Sequence, residues 1–230
     1  MLAGILFLGL VLMLASQDIY IRFGGSMYGM QITKPDGSIW LSPDFTPVNL
    51  INRGDMGVYN GSIYQTSIPF DRVCFFFVRM GSRAYTAFSH INHGGYHALR
   101  IDRTDNPGWI RVYAFSDMVT SPGSHGIAFY NSAGQMTYHG KMKPLEAHQI
   151  PVSGITFDVY LGYTCAVTPF QTAINSVPNP QLGGHMIFES QSGASGSNIY
   201  SISKQVAQTP GPLGVYYSSS ILAIDASKYD

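Results

Sequence analysis

The stretch YGMQITKPDGSIWLSPDFTPVNL, residues 28–50, has the pattern of a β-hairpin. Two short runs rich in apolar residues flank the turn signal Pro35-Asp36-Gly37. The glycine of such a turn supplies a positive φ, which other residues adopt only at a cost. Because a two-stranded hairpin is only marginally stable by itself, this one must pair with a larger sheet.

The same pattern occurs a second time at residues 125–147, HGIAFYNSAGQMTYHGKMKPLEA, at a constant offset of 97 residues and without a gap. The apolar positions of the two stretches also coincide. We therefore predict two similar hairpin units, 28–50 and 125–147, which form either a duplicated sub-domain or similar edges of two sheets in one sandwich. The structural turn residues of these units, in matching pairs, are Gly29 and Gly126, Gly37 and Gly134, and Pro47 and Pro144.

The rest of the chain has the strand pattern, in which short apolar or alternating runs are separated by Gly, Pro, Asn or Ser. No segment beyond the first residues has helical periodicity over three turns. We predict an all-β fold, a β-sandwich or a jelly-roll-like domain. The clearest strands are expected at 73–80, 109–115, 154–162, 185–189 and 220–225. The serine- and glycine-rich stretch SQSGASGS, 190–197, is predicted to be a loop.

The domain prediction separates an apolar leader, 1–26, from a β-sandwich domain, 27–230, which divides into two β sub-domains near 120–125 if the repeat marks a duplication. The apolar run of the leader, residues 1–15, is shorter than a membrane span and resembles the apolar core of a signal peptide, but no Lys or Arg precedes that run. Gly24-Gly25 can be encoded as a ribosome-binding sequence just before Met27. The leader is thus an over-called start, a signal or anchor, or an ordered contact element.

The composition favours a protein that contacts other chains. The 230 residues are 45% hydrophobic and only 11% charged, with 15 Tyr and 13 Phe, whereas soluble domains are typically about 25% charged. Lys plus Arg and Asp plus Glu number 13 each, so no net field attracts nucleic acid. Interfaces are enriched in aromatic residues and depleted in charged ones, although a secreted sugar-binding β-domain has a similar composition.

Histidines are concentrated in SHINHGGYHALR, 89–100, where His90, His93 and His97 are the candidates for a metal site. Gly94-Gly95 excludes a helix there, so the three imidazoles would have to converge on a loop. No acidic or cysteine neighbour completes the set. We predict no metal, no cofactor and no catalytic residue.

Other chemistry is also weakly indicated. Cys74 and Cys165 lie in apolar runs and are interpreted as buried free thiols, with a disulfide left open. The string SGASGS, 192–197, lacks the last glycine of the Gly-x-Ser-x-Gly motif of nucleophilic serines, so it does not indicate such a serine. Scattered acids could in principle pair as in glycosidases, and aromatic side chains could stack on a sugar. These acids are Asp71, Asp102, Asp105, Asp117 and Glu146, and the aromatic residues are Tyr59, Tyr64, Tyr96, Trp109 and Tyr113.

The stretch GIAFYNSAGQMTYHGKMKPLEAHQI, 126–150, resembles a pattern of small β-rich tail proteins of tailed bacteriophages: glycine, alternating apolar residues, Asn-x-x-Gly, alternating apolar residues and Pro-Leu. The opening unit is similar to the N-terminal stretch of those proteins, and SSSILAIDASKYD, 218–230, resembles their C-terminal strand. The segments that carry the resemblance are 28–50, 125–150 and 218–230. Proteins of this kind begin near the tyrosine-glycine, so the leader is a departure.

The resemblance implies a non-enzymatic structural protein of the phage virion, at the tail or tail tip, that assembles in the host cytoplasm. Its partners would be further copies of itself and other virion proteins. The first alternative is a receptor- or carbohydrate-binding module of the tail, with a host-surface receptor as partner and the 190–197 loop in its site. The second is an exported bacterial β-protein, which requires that the leader is processed.

Overall fold

A computed structural model describes residues 45–122 and 127–230 in full, together with the backbone of three short strands before them. Within those ranges the chain is built from β-strands and one 3₁₀ helix, with no α-helix. The predicted all-β class is therefore confirmed. No helix in the described part of the chain is long and apolar enough to cross a membrane.

The strands follow one another along the chain as β1 (Tyr20–Phe23), β2 (Met30–Thr33), β3 (Ile39–Leu41), β4 (Asn49–Met56), β5 (Ile63–Pro69), β6 (Phe75–Met80), β7 (Thr86–His93), β8 (Tyr96–Thr104), β9 (Ile110–Ser116), β10 (Ala128–Tyr130), β11 (Met136–His139), β12 (Ala147–Pro151), β13 (Asp158–Tyr160), β14 (Cys165–Val167), β15 (Gln171–Pro178), β16 (His185–Ser195), β17 (Asn198–Thr209), β18 (Tyr216–Tyr217) and β19 (Ser220–Asp225). The 3₁₀ helix is Ala226–Lys228.

The chain divides into two compact units. The larger comprises Val48–Met118 and Lys143–Asp230, and the smaller comprises Met1–Pro47 and Val119–Met142. Of the predicted leader, 1–26, only the backbone of β1 is described, and it pairs antiparallel with β2. The domain boundaries at 26 and near 120–125 stay predictions.

The two hairpin units have the same strand register. β2 pairs with β3, and β10 pairs with β11, and the pairs match at the offset of 97 residues seen in the sequence. A register shift interrupts both ladders at the same place. The matching pairs are Ile32–Leu41 with Phe129–Tyr138, and Thr33–Ile39 with Tyr130–Met136. The repeat therefore extends from the sequence to the backbone pairing.

The turn of the second unit is closed by one asparagine. The side-chain oxygen of Asn131 accepts hydrogen bonds from the backbone N–H groups of Ala133 and Gln135, at 3.0 and 2.9 Å. Gly134 has a φ of 75°, as predicted for a hairpin glycine. Among the other predicted turn residues, Pro144 forms a bridge with Asn49 and Pro47 lies just before β4. The positions Gly29, Gly37 and Gly126 lie outside the described residues.

The larger unit is a β-sandwich built on a six-stranded antiparallel sheet, in the order β12-β19-β14-β6-β9-β4. The three-stranded sheet β5-β8-β7 packs on one of its faces through a core that includes Val78, Val112 and Leu99. The five-stranded sheet β13-β17-β16-β15-β18 packs beside it, around Val167 and Ile199. The 3₁₀ helix covers part of the opposite face.

That opposite face is held by an aromatic cluster. Phe115 contacts Phe77 and Tyr229 in edge-to-face geometry, with ring centroids 5.6 and 5.0 Å apart. Tyr113 is fully buried there and donates its hydroxyl hydrogen bond to the Asp230 carboxylate, at 2.8 Å. The Arg79 guanidinium pairs with the same carboxylate at 3.1 Å. Buried aromatic side chains thus seal the face with their polar groups satisfied.

The predicted loop at 190–197 is wrong, because β16 and β17 form a long hairpin through most of it. Ser190, Ser192 and Ala194 are buried within β16. Glycine is required at position 193, because a Cβ there would lie 2.6 Å from the ring of Tyr200 on β17. Small residues in this run therefore make room for a neighbouring ring, and do not indicate a flexible loop.

The predicted strand limits differ in accuracy. The strand at 220–225 is confirmed residue for residue by β19, and those at 73–80 and 109–115 correspond to β6 and β9 within two residues. The segment 154–162 forms a strand only over β13. Gly154 and Gly162, with φ of 83° and 80°, place turn conformations at its two ends.

Candidate metal centre

The histidine-rich segment is a β-hairpin, not the loop expected from its glycines. Gly94 and Gly95 have φ of 61° and 87° and connect β7 directly to β8. Two successive residues with positive φ form the tight turn that fits the twist of antiparallel strands. The Gly-Gly pair that excludes a helix therefore closes a hairpin.

Strand alternation separates the three histidines. Asn92 pairs with His97, and His93 pairs with Tyr96. Because successive side chains point to opposite faces of a strand, His90 lies on the face of His97 as its diagonal neighbour, whereas His93 lies on the other face. The structure thus brings together two of the three predicted candidates, His90 and His97, and does not bring His93 to them.

The two imidazoles form a direct hydrogen bond with a defined proton order. The distance between His90 Nε2 and His97 Nδ1 is 2.6 Å, and His97 Nε2 lies 2.7 Å from the carbonyl oxygen of Arg72. A carbonyl can only accept, so His97 Nε2 donates to it. In the tautomer that carries a proton on Nε2 alone, His97 accepts at Nδ1 and His90 Nε2 is the donor. Partial loss of hydration, with a smaller effect of the neighbouring His97, lowers the pKa of His90 and favours its neutral form.

His97 is held rigidly from several sides. It is 6% exposed, and its backbone carbonyl accepts a hydrogen bond from the Thr66 hydroxyl at 2.7 Å. The Phe70 ring packs 4.6 Å from the His97 ring, and the Phe76 ring meets His90 edge-to-face at 5.0 Å, measured between centroids. Two strands and a loop therefore fix the position of both rings.

A third group with metal-binding chemistry, the thiol of Cys74, completes the cluster. The ligand atoms of Cys74, His90 and His97 all lie within 4.8 Å of one another. Cys74 directly precedes β6 and reaches the hairpin from the six-stranded sheet. It is half-buried, and burial raises its pKa to about 12. The sequence prediction missed Cys74 because its contact with the hairpin joins two different sheets.

The two cysteines differ in their surroundings, although both are free thiols. Cys165 is fully buried in the apolar core of β14, and its thiol donates to the carbonyl oxygen of Gly196 at 3.5 Å. Burial raises its pKa to about 11. The interpretation of both as buried hydrophobic side chains is confirmed for Cys165, whereas Cys74 lies beside two imidazole nitrogens.

The acids considered as a glycosidase pair are engaged in surface ion pairs in four of five cases. The Glu146 carboxylate pairs with Lys228, and that of Asp105 pairs with Lys204. Asp102 pairs with Arg100 at 2.8 Å and Asp117 with Arg72 at 3.7 Å. Each has an adjacent cation, an arrangement typical of a solvated protein surface.

The aromatic residues considered for sugar stacking do not form one platform. Tyr113 is fully buried in the core. Trp109 is exposed, but the Arg79 guanidinium lies over its ring at 5.3 Å from the centroid. Tyr64 is half-buried, and burial raises its pKa to about 12. Tyr59 is exposed in the connection between β4 and β5, and Tyr96 is exposed at the start of β8.

Comparison of the chain with protein-family models, with curated proteins and with solved structures gave no match. The fold class is therefore an assignment from the coordinates alone. The resemblance to phage tail proteins therefore rests on the three sequence segments that suggested it. A proposal of function has to rest on the residues of this chain.

Proposed function

We propose that this chain is a structural component of a bacteriophage virion, in the tail or tail tip, and that it acts through protein–protein contacts. It would assemble in the host cytoplasm with copies of itself and with other virion proteins. The proposal combines the sequence resemblance of segments 28–50, 125–150 and 218–230 with the character of one sheet edge.

The observation that carries the proposal is the outer edge of the five-stranded sheet. Its last strand, β18, consists of Tyr216 and Tyr217, which are 58% and 53% exposed. No Asp, Glu, Lys or Arg occurs from residue 205 to residue 224. At the opposite edge of the same sheet, Tyr160 on β13 is 71% exposed.

Such edges favour association with another chain. An edge strand offers unpaired backbone groups, and monomeric proteins commonly protect such edges with charged side chains, especially lysine. At the β18 edge exposed tyrosines take the place of charges, and Tyr is among the residues enriched at protein interfaces. The low charge of the whole chain agrees with surfaces that become buried in an assembly.

The location in the virion is tested on gradient-purified particles of the phage that encodes the chain. Quantitative mass spectrometry should find it at a fixed ratio to the major capsid protein from one preparation to the next. Its absence from purified particles would disprove the proposed function.

The contact surface is tested separately on the purified full chain. The double substitution Tyr216→Lys with Tyr217→Lys should weaken self-association in analytical ultracentrifugation by about tenfold or more, because each buried interface tyrosine contributes on the order of 1 kcal/mol or more. Tyr59→Lys, at an exposed turn away from this edge, is the matched control and should associate as the unchanged chain does. Equal association of all three proteins would exclude this edge as the contact surface.

A further inference from the structure

We propose that Cys74, His90 and His97 form a binding site for a zinc ion, with three protein ligands and a fourth position open to solvent. The ligand atoms are Cys74 Sγ, His90 Nε2 and His97 Nδ1. The site is independent of the proposed role in the virion, and its ligand set differs from the one that the sequence suggested by replacing His93 with Cys74.

The donor chemistry selects the class of metal. One thiolate and two imidazoles suit borderline-soft ions such as Zn²⁺, whereas Mg²⁺ and Ca²⁺ require oxygen ligands. Within the described ranges, this is the group of His, Cys, Asp and Glu side chains whose ligand atoms converge closely enough to bind an ion.

The distances are close to those of a zinc site. With Zn–N bonds of about 2.0 Å in tetrahedral geometry, two ligand nitrogens lie roughly 3.3 Å apart. His90 Nε2 and His97 Nδ1 are 2.6 Å apart, so the rings have to separate by only about 0.7 Å. The sulfur atom of Cys74 lies within the 4.8 Å that encloses all three ligand atoms. A rotation about the Cα–Cβ bond of Cys74 moves this sulfur atom by a distance of the same order.

His97 already has the outer-sphere contact of a metal ligand. A histidine that binds a metal through one nitrogen usually donates the other N–H to a carbonyl or carboxylate, which fixes the tautomer. The Arg72 carbonyl oxygen accepts that bond from His97 Nε2 at 2.7 Å, so the lone pair of Nδ1 faces His90 and Cys74. The Thr66 hydroxyl further fixes the backbone of His97.

Binding of one zinc ion releases one proton. The thiol of Cys74 loses its proton to solvent and binds as the thiolate. His97 keeps its Nε2 proton on the Arg72 carbonyl oxygen. His90 exchanges its Nε2 proton for one on Nδ1, so that its Nε2 lone pair replaces the hydrogen bond to His97 with a bond to the metal.

Exposure indicates where the fourth ligand lies. His97 is buried and Cys74 is half-buried, but His90 is exposed. The metal would therefore have protein on the side of His97 and solvent on the side of His90. Zinc sites with three protein ligands keep their fourth position for water or for another ligand.

The test is a titration of the metal-free full chain with Zn²⁺ by calorimetry and with Co²⁺ by absorption spectroscopy. We expect one ion per chain, with tetrahedral cobalt bands and a sulfur-to-cobalt charge-transfer band. Cys74→Ser should abolish the charge-transfer band and lower zinc affinity on the order of 100-fold or more, since even outer-sphere changes cost 10- to 100-fold. His90→Ala should lower affinity similarly.

His93→Ala is the matched control, because it removes a histidine of the same hairpin from the opposite face. It should leave stoichiometry and affinity unchanged. Circular dichroism and thermal unfolding of each metal-free variant separate loss of a ligand from loss of the fold, and serine is chosen at 74 because it preserves size. The proposal is overturned if the unchanged chain binds no zinc, if the charge-transfer band persists in Cys74→Ser, or if His93→Ala loses as much affinity as His90→Ala.

Discussion

Two hairpins of this chain, β7–β8 and β10–β11, start from the same local chemistry and reach different structures. Each is an antiparallel pair closed by glycine with positive φ. The strands of β7–β8 have eight and nine residues and join β5 in a sheet that packs on the main core. Those of β10–β11 have three and four residues and form a two-stranded sheet.

The comparison shows which part of hairpin stability comes from the turn and which from packing. A glycine turn removes local strain in both cases, but a two-stranded hairpin is marginal in water without an apolar face against something larger. β7–β8 obtains that face from the six-stranded sheet. This packing also makes one side of the hairpin rigid enough to hold His97 in place.

The largest effect is expected from removing a core side chain of β7–β8. Leu99 is fully buried between the two sheets, so Leu99→Ala should lower the free energy of unfolding by about 2–5 kcal/mol. Chemical denaturation measures this. Leu182→Ala, at an exposed turn, should change it by less than about 0.5 kcal/mol. A similarly small effect at Leu99 would contradict the packing described for this hairpin.

A smaller effect is expected from removing the buried aromatic side chain of β10. Phe129 is mostly buried and packs against Tyr138 with centroids 5.5 Å apart. Phe129→Ala should lower the local opening free energy of this hairpin by about 2 kcal/mol, because a small core can partly collapse around the deleted ring. Hydrogen exchange of the amides in β10 and β11 measures this. Unchanged protection would show that the hairpin does not depend on its apolar face.

The turns should respond equally in the two hairpins. Gly95 and Gly134 have φ of 87° and 75°, and an added Cβ meets no atom within 4 Å at either. Gly95→Ala and Gly134→Ala should therefore each cost about 1 kcal/mol in the hairpin concerned, from backbone strain alone. Gly214→Ala, in open space without positive φ, is the control and should cost nothing measurable. Unequal costs at the two turns would show that packing also reaches one of them.

The smallest effect is expected from acid. Hydrogen bonds from Arg111 on β9 to Asp55 on β4 lower the pKa of that carboxyl. Because its folded pKa is below its unfolded value, the stabilisation is present above pH about 4 and is lost as pH falls through the folded pKa.

The change should not exceed about 1 kcal/mol, since the carboxylate is largely exposed. Unfolding free energies measured from neutral pH downward should therefore decline less in Asp55→Asn than in the unchanged chain. Residues 119–142 contain no Asp or Glu, so protection of β10–β11 should lack this carboxylate-linked decline. A decline of equal size in Asp55→Asn would rule out the pair as its source.

The fold was predictable wherever local pattern and pairing coincide. The short apolar run within 220–225 predicts β19, and the matching of residues 97 apart extends to the shared register of the two hairpins. The prediction failed at 190–197, where composition suggested a loop. Small residues are common in loops, but here Gly193 accommodates the ring of Tyr200, a contact that depends on how β16 and β17 align.

The candidate site was predictable only in part. The cluster of histidines was visible in the sequence, but it was assigned to a loop. A loop lacks the strand alternation of side chains between two faces, and this alternation is what separates His93 from His90 and His97. The contribution of Cys74 was not visible, because this residue directly precedes β6 in another sheet, and sequence spacing carries no information on how two sheets stack. A hairpin interpretation of Gly94-Gly95 would have found the correct pair of histidines.

The contact between Gly193 and Tyr200 also limits how this chain can vary among relatives. Tyr200 accepts a hydrogen bond from the backbone N–H of Ala84 and donates to the carbonyl oxygen of Ser82, both at 3.3 Å. Any side chain at 193 would displace the ring and leave these buried groups without their partner. Substitutions at 193 and 200 should therefore appear together or not at all. Such a covarying pair would identify a homologue by the coupled change itself, without reference to overall sequence similarity.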